Sequence, residues 1–253
     1  MSAPSRPDVT AIITAHAEGP LVGLSLRSML DAVDHARAAG ATVELLAVLD
    51  NPDAATREAF AEAAGHGFRL VETSYADQGR VRNEAVGEAT GEHVAFLDGD
   101  DLWSENWLTD ALAVCRTDPG RVIAHPELDW IFDGSSMLAF FPDQLDPAFE
   151  PASLRVANAW DALCVAPIEA YRDHPFSRRA IADGYAFEDW HWNMETLASG
   201  YVHRLVPETV HFKRRRAGSQ FTQARANRSL PRATDLLSYA WWAEHEGTNR
   251  IDG

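Results

Sequence analysis

The first hundred residues alternate two kinds of hydrophobic pattern. Val9–Ala15, Val43–Leu49 and Val94–Leu97 are nearly continuous apolar runs rich in β-branched residues, and Phe68–Thr73 is a more polar run of similar length. Short apolar runs of this kind read as strands buried on both faces. Between them the spacing is helical. Leu21–Ala39 carries Leu21, Leu24, Met29, Leu30 and Val33 and stops at Gly40; Ala54–Ala64 follows Asp53, a capping residue, and stops at Gly65; Arg80–Ala89 closes before Gly91. Caps and terminal glycines mark these boundaries. Strands alternating with helices predict an α/β fold, a mostly parallel sheet with helices on both faces.

Beyond Glu105–Arg116, a fourth helix, the pattern loosens. Val122–Ala124, Asp129–Phe132 and Met137–Phe141 read as short strands, Pro142–Pro151 as a Pro- and Asp-rich loop, and Leu163–Pro167 as another strand. Asp189–Ser199 is helical, offers Trp190, Trp192 and Leu197 for packing, and ends at Gly200. Tyr201–Val206 and Thr209–Phe212 read as strands, Ala217–Arg228 as a polar loop, and Ala233–His245 as a last helix with Leu236, Leu237, Tyr239, Trp241 and Trp242. No internal repeat or low-complexity segment is present.

The chemistry concentrates in His93–Trp103, where the strand Val94–Leu97 runs into Asp98, Gly99, Asp100 and Asp101. Open α/β sheets bind ligands beyond the carboxyl ends of their strands. Three carboxylates there repel one another and any anionic ligand. A divalent cation resolves this, since Mg²⁺ and Mn²⁺ take oxygen ligands and bridge to phosphates. The plainer reading is an acidic turn in which Asp101 or Ser104 caps the next helix.

Composition narrows the field. The 253 residues, 46% hydrophobic, suffice for one large domain or two small ones. With 22 Lys plus Arg against 38 Asp plus Glu, the net charge of −16 disfavours a general binder of nucleic acid or anionic membranes. Two cysteines, Cys115 and Cys164, provide no disulfide framework or zinc-ligand spacing. No apolar run approaches the ~20 residues of a membrane span, and the polar start Met1–Asp8 lacks a signal-peptide core. A cytoplasmic protein is expected, with access to an acceptor at the inner membrane face left open.

Several stretches together resemble glycosyltransferase family 2. Val-Thr-Ala-Ile-Ile-Thr-Ala-His-Ala-Glu (9–18) is similar to the family's opening strand and loop, and Leu-Ala-Val-Leu-Asp-Asn-Pro-Asp (46–53) to its second strand end. Residues 78–101 follow the block Gly…Ala-Arg-Asn…Ala-x-Gly-Glu…Leu-Asp-x-Asp-Asp, and Phe-Glu-Asp-Trp (187–190) resembles the later Glu-Asp motif. The sequence departs from the pattern at His16-Ala17, where Tyr-Asn is usual, and at Leu49, often a second Asp.

The resemblance implies a GT-A (Rossmann-like) fold with a smaller mixed acceptor-side region, a nucleotide-sugar donor, a divalent metal (Mn²⁺ or Mg²⁺) and inversion at the anomeric carbon. It divides the chain into an N-terminal tail (1–8), a GT-A domain (9–225) and a C-terminal helical extension (226–253). Within the domain, 9–125 form the nucleotide-sugar-binding half and 126–225 the acceptor-binding half.

On the same resemblance, Ala15, Glu18, Asp50, Arg82 and Asp98 line the donor. Asp50 accepts the N3–H of uracil or thymine, or else forms an Asx turn before Pro52. Arg82 faces the nucleotide or pairs on the helix surface. Asp98 faces the ribose and shares the Asp-x-Asp metal motif with Asp100, with His211 as a candidate third ligand. Glu188 and Asp189 sit where an acceptor hydroxyl needs a base; Asp189 is the expected base and Glu188 its partner, with the reverse assignment open. Acidic residues at a helix start are the simpler account. Trp190 and Trp192 form a stacking wall for the acceptor or belong to the core. Arg214 and Arg216, in the basic run His211–Ser219, are suited to a loop closing on a diphosphate, because Arg forks bind phosphate oxygens.

The expected partners are therefore a nucleotide-sugar, UDP- or dTDP-type, and a saccharide, glycolipid or other hydroxyl acceptor, in polysaccharide or glycoconjugate biosynthesis. Nucleic acid is not expected. The C-terminal tryptophans either form a homodimer interface or cover the core. The competing function is a non-catalytic nucleotide-sugar or partner-binding protein on the same fold. A nucleotidylyltransferase or a dinucleotide-dependent dehydrogenase lacks its phosphate-binding glycine loop here.

Overall fold

The computed structural model describes residues 6–215, 220–238, 240, 241 and 243. In order, the chain forms β1 (Val9–Ala15), α1 (Val22–Ala38), β2 (Val43–Asp50), α2 (Ala54–Ala63), β3 (Arg69–Thr73), α3 (Gln78–Glu88), β4 (His93–Asp98), β5 (Leu102–Trp103), α4 (Trp107–Cys115) and β6 (Val122–Asp133). It continues through β7 (Met137–Phe140), β8 (Val165–Pro167), α5 (Ile168–Asp173), α6 (Glu188–Ala198), β9 (Val202–Arg215) and α7 (Gln220–Ala226). The strands lie in one curled, mixed sheet of order β3-β2-β1-β4-β8-β6-β9-β5, with β7 paired to β6.

The parallel half is β3-β2-β1-β4, as the apolar runs predict. Strands β2, β1 and β4 are covered on both faces, and the edge strand β3 is half exposed. One core packs Ile13, Leu45 and Leu97 against Met29, Val33, Trp107 and Leu112 from α1 and α4. The other packs Ile12, Val48 and Phe96 against Val81 and Ala85 of α3, Tyr171 of α5 and Trp192 of α6. Asp53 caps α2 as expected, its carboxylate accepting the Thr56 N–H at 2.8 Å. Asp101 and Ser104 do not cap α4; Asn106 holds that position, and Ser104 Oγ instead accepts the Val210 N–H at 3.1 Å.

The second half corrects the pattern in three places. The two short strands expected over 122–132 are one strand, β6, whose pairing with β9 shifts register between Pro126 and Leu128. Pro126 has no N–H to give the ladder, which locates the break. The strands expected over 201–212 likewise fuse into β9, with Glu208 at positive φ absorbing the irregularity. The stretch expected to be a polar loop contains α7. Its polar sequence shows no periodicity, but Ala224 is buried and accepts the Ser229 N–H. Of the expected last helix, only a 3-10 turn, Asp235–Leu237, and parts of 240–243 lie within the described residues. Leu236 and Trp241 pack there with Leu154, Trp160 and Met194.

Two glycines on neighbouring segments test this packing in opposite directions. A Cβ at Gly91 would stand 2.5 Å from Thr10 N and 2.7 Å from Val9 C, both main-chain atoms, whereas Gly87 is on the open face of α3 with nothing within 4 Å. In urea unfolding, Gly91→Ala is expected to lose at least about 2 kcal/mol through overpacking. Gly87→Ala is expected to gain about 0.5–1 kcal/mol from helix propensity.

Candidate active site

The site is built at the carboxyl end of β4, where Asp98 is paired with Thr14 of β1. The chain then folds back through Gly99, whose N–H donates to the Thr14 carbonyl at 2.8 Å. A Cβ at Gly99 would lie 2.9 Å from the Cβ of buried Ala15 and 3.1 Å from Thr14 O. Ala15 is thus the small floor under the acidic turn. Ser25 of α1 pins the other side, donating to the Gly99 carbonyl at 3.0 Å.

Asp98 is held from three directions. Its Oδ1 accepts from Thr14 Oγ1 at 3.1 Å, Gln78 Nε2 at 3.0 Å and Arg82 Nη2 at 3.1 Å. Arg82 is 4% exposed and spans from Asp98 to Glu188, which its Nη1 reaches at 3.5 Å. Its guanidinium lies among the rings of Phe96 and Phe176. Burial works against the charge, but Asp98, Glu188 and Asp189 more than offset it and hold Arg82 above its ordinary pKa. The fork is therefore a permanent cation enclosed by carboxylates, not a surface pair.

Glu188 and Asp189 begin α6. Phe187, just before them, has φ 62 and ψ 55, a left-handed conformation uncommon for an aromatic residue. Glu188 is buried and also faces Arg179 at 3.7 Å. Asp189 accepts from Asn158 Nδ2 at 3.0 Å. Burial first, then the charge of Glu188, pushes the Asp189 carboxyl up to about 6, while Arg82 pulls the other way. A carboxylate in that range suits a general base near neutral pH.

A second acidic cluster lies behind the turn. Asp101 is buried and accepts the Arg214 N–H at 2.7 Å. Asp161 pairs with Lys213 Nζ at 2.7 Å, and Asp129 and His211 stand beside it, the possible ligand atoms of Asp129, Asp161 and His211 lying within 4.8 Å of one another. Burial raises the carboxyl groups of Asp101 and Asp129. Burial also acts on Asp161, but the Lys213 ammonium overrides it and holds Asp161 below the carboxylate range.

These placements revise several sequence expectations. His211 does not join Asp98 and Asp100; among the described residues it groups with Asp129 and Asp161. It is fully buried, edge-on to Trp107 at 4.6 Å and stacked on Trp103. Burial drops its pKa to about 3, so its imidazole is neutral. Alternation along β9 sends it to the core face. Trp192 is not part of an acceptor wall: it is 0% exposed, stacked on Tyr171 at 4.8 Å. Trp190 is half-buried, with its indole N–H bound to the Leu154 carbonyl at 2.7 Å.

Arg214 is turned inward, donating to the Asp100 carbonyl at 3.2 Å and pairing with Asp133 at 2.9 Å, so it braces the acidic turn. Arg216 lies outside the described residues. Asp50 accepts from Thr73 Oγ1 at 2.9 Å and from the N–H groups of Tyr75 and Ala76 at 2.6 and 2.8 Å. It shapes the β3–α3 loop. Glu18 accepts the His16 N–H, and the His16 ring bonds the Asp50 carbonyl. Asp100 remains half-buried on the rim.

Pattern reading did not single out Asn158, Asp161, Arg179 or Lys213. Lys213 at least falls in a conspicuous basic run. Asn158, Asp161 and Arg179 sit in aperiodic loops and carry no local signal. Both cysteines are buried, and burial pushes their thiols up to about 12, so neither serves as a nucleophile.

This sheet, with the acidic turn at the end of β4, is the GT-A fold. Residues 10–133, a little under half of the chain, match the model of glycosyl transferase family 2. Among solved structures, TarS of S. aureus aligns with a TM-score of 0.63 at 14% identity, over 87% of this chain and 39% of that one. The TarS 1–349 complex with UDP-GlcNAc aligns at 0.59 and 14% identity, over 84% and 60%. The mannosyltransferase PcManGT from Pyrobaculum calidifontis, in complex with GDP-Man and Mn²⁺, aligns at 0.61 and 20% identity, over 95% and 70%. The chain thus spans about two fifths to three fifths of the TarS chains. No curated protein matches it in sequence. Among the described residues, no helix is long and apolar enough to cross a membrane.

Lys213 is the cation that makes the inner acidic cluster tolerable. Lys213→Met leaves the half-buried Asp161 carboxylate without its ammonium partner, a loss of about 1.5–3 kcal/mol, the range for hydrogen bonds to charged groups. Denaturant unfolding at pH 7.5 is expected to show that loss.

Proposed function

We propose that the protein is an inverting family 2 glycosyltransferase that moves a sugar from a nucleoside-diphosphate-sugar to a hydroxyl acceptor. The observation that carries this reading is the joining, through Arg82, of the strand-end carboxylate Asp98 to the Glu188-Asp189 helix start. Two motifs ninety residues apart in sequence meet at one side chain, the first suited to the donor and the second to the acceptor. The family match over 10–133 and the nucleotide-sugars bound by the structural neighbours support it.

Asp98, ordered by Thr14, Gln78 and Arg82, offers its outer oxygen edge to the donor ribose. Asp50 fixes the loop against which the base lies, with UDP or dTDP the favoured donors. The oxygen donors at the rim fit Mg²⁺ or Mn²⁺, and Asp100 would hold the ion. When bound, that cation supplies Lewis-acid stabilisation of the leaving diphosphate. The inner set Asp129, Asp161 and His211 also has suitable ligand atoms, but Lys213 already neutralises it. In the transfer, Asp189 takes the acceptor O–H proton as that oxygen attacks the anomeric carbon. The bond from that carbon to the diphosphate breaks on the opposite face.

Thermal unfolding with UDP, dTDP or GDP, each with and without Mn²⁺, tests the donor side. A ligand that binds only the native state adds about 2.7 kcal/mol at a hundredfold excess over Kd. A Mn²⁺-dependent shift is expected, lost in Asp100→Ala and kept in His211→Gln. If Asp129→Asn abolishes the shift and Asp100→Ala does not, the cation belongs to the inner cluster. No shift with any nucleotide sinks the donor reading.

Release of nucleoside diphosphate from the donor tests the chemistry and separates an enzyme from a non-catalytic binder. Because Asp189 works as a carboxylate, kcat/KM is expected to fall about tenfold per pH unit below about pH 6. Asp189→Asn is expected to lose 10²–10⁴-fold, roughly the span of general-base catalysis. Wild-type rates in that variant would place the base elsewhere.

A further inference from the structure

We infer that Arg82 is a positioning residue for the base, a brace between the end of β4 and the start of α6, and not a ligand of the donor. It rests on the reading of Asp189 as the base. Arg82 is 4% exposed, and its two terminal nitrogens are committed, one to Asp98 at 3.1 Å and the other to Glu188 at 3.5 Å. Phe96 and Phe176 enclose its guanidinium. A fork so enclosed has little reach left for a nucleotide.

The far end of the brace bears on a strained point. Phe187 sits at φ 62 immediately before Glu188, and non-glycine residues keep such conformations only where the surroundings over-determine them. Immediately after it, two guanidinium groups hold Glu188, Arg82 on one oxygen and Arg179 on the other at 3.7 Å. The backbone of Arg179 is itself fixed, its main-chain N–H donating to Asp77 Oδ2 at 3.0 Å, at the cap of α3. Glu188 is thus clamped from α3 and from the loop before α6, and Asp189 takes its place from Glu188.

Arg82 also acts on Asp189 through charge. Among the described residues, the charged groups that act most on Asp189 are Glu188 on its own helix, Arg82 from α3 and Asp161 from the loop before β8, with Asn158 donating a hydrogen bond. Arg82 is the one cation among these groups. Removing it disfavours the carboxylate, so the base titrates at higher pH. A purely architectural residue would leave that titration unmoved.

Three variants test the brace: Arg82→Lys, which keeps charge and loses the fork; Arg82→Gln, which loses both; and Arg82→Gln combined with Glu188→Gln, which removes the buried pair together. The double variant and Arg82→Lys carry the test if Arg82→Gln does not fold. Hydrogen exchange without ligand reads the brace itself, and amides 186–190 are expected to exchange at least tenfold faster in Arg82→Lys. Steady-state release of UDP or GDP from the donor that wild type turns over reads the chemistry. The expected result is kcat down tenfold or more and the acid limb moved upward, further in Arg82→Gln than in Arg82→Lys, with any rise in donor KM, through the loosened Asp98, smaller than the fall in kcat. A tenfold rise in donor KM with kcat and the acid limb unchanged would make Arg82 a donor contact and overturn the inference. Unchanged exchange at 186–190 overturns it as well. If wild type turns over no donor, the glycosyltransferase reading fails and the positioning role falls with it; a working wild type with unaltered variants sinks the brace alone.

Discussion

Carboxylates crowded behind the end of one strand set the main constraint on this molecule. Asp98, Asp100 and Asp101 follow β4 directly, and Asp129 and Asp161 come up behind them from β6 and the loop before β8. Such a group is self-repelling unless cations enter it, because charge removed from water interacts strongly and is costly to leave unpaired. Two side chains answer this from opposite sides. Arg82 enters from α3 and Lys213 from β9, and Arg214 adds its main-chain N–H and its guanidinium to the turn. Burial does the rest, by raising Asp101 and Asp129 so that they hold protons more readily.

This balance leaves some carboxylates tied to guanidinium groups and others beside them. Asp98 and Glu188 are bound by guanidinium groups and serve as anchors. Asp100 and Asp189 are the half-buried neighbours of those anchors in sequence. In each motif, then, one carboxylate is held by a guanidinium group and a second, half-buried, follows one or two positions later. The economy is local: a helix start and a strand end each present successive residues in different directions. Gly99 makes the first of these possible, since the turn passes too close to Ala15 and Thr14 for any side chain.

The second half of the chain shows why function was harder to locate there. Its long parallel pair, β6 with β9, joins strands about eighty residues apart, and neither strand is continuous in pattern because Pro126 and Glu208 interrupt it. A histidine on such a strand reads in sequence as an accessible ligand. In the fold, alternation turns His211 toward Trp103 and Trp107. Trp190 and Trp192 separate in the same way, two positions apart on a helix and therefore on different faces: one half-buried, the other in the core.

The sequence by itself determined the parallel half of the sheet and the acidic turn at the end of β4. Those features are local: buried parallel strands must be apolar throughout, helices between them show their caps and stops, and charges that end a strand stand out against it. Family-like spacing also marked Arg82, Glu188 and Asp189 as residues to watch. Only the tertiary structure decided which partners they have. That Arg82 faces two carboxylates, that Lys213 neutralises Asp161 and that His211 is core all depend on contacts between segments far apart in the chain. Burial and pairing, not residue type, decide whether a charged side chain meets a ligand or holds the fold together.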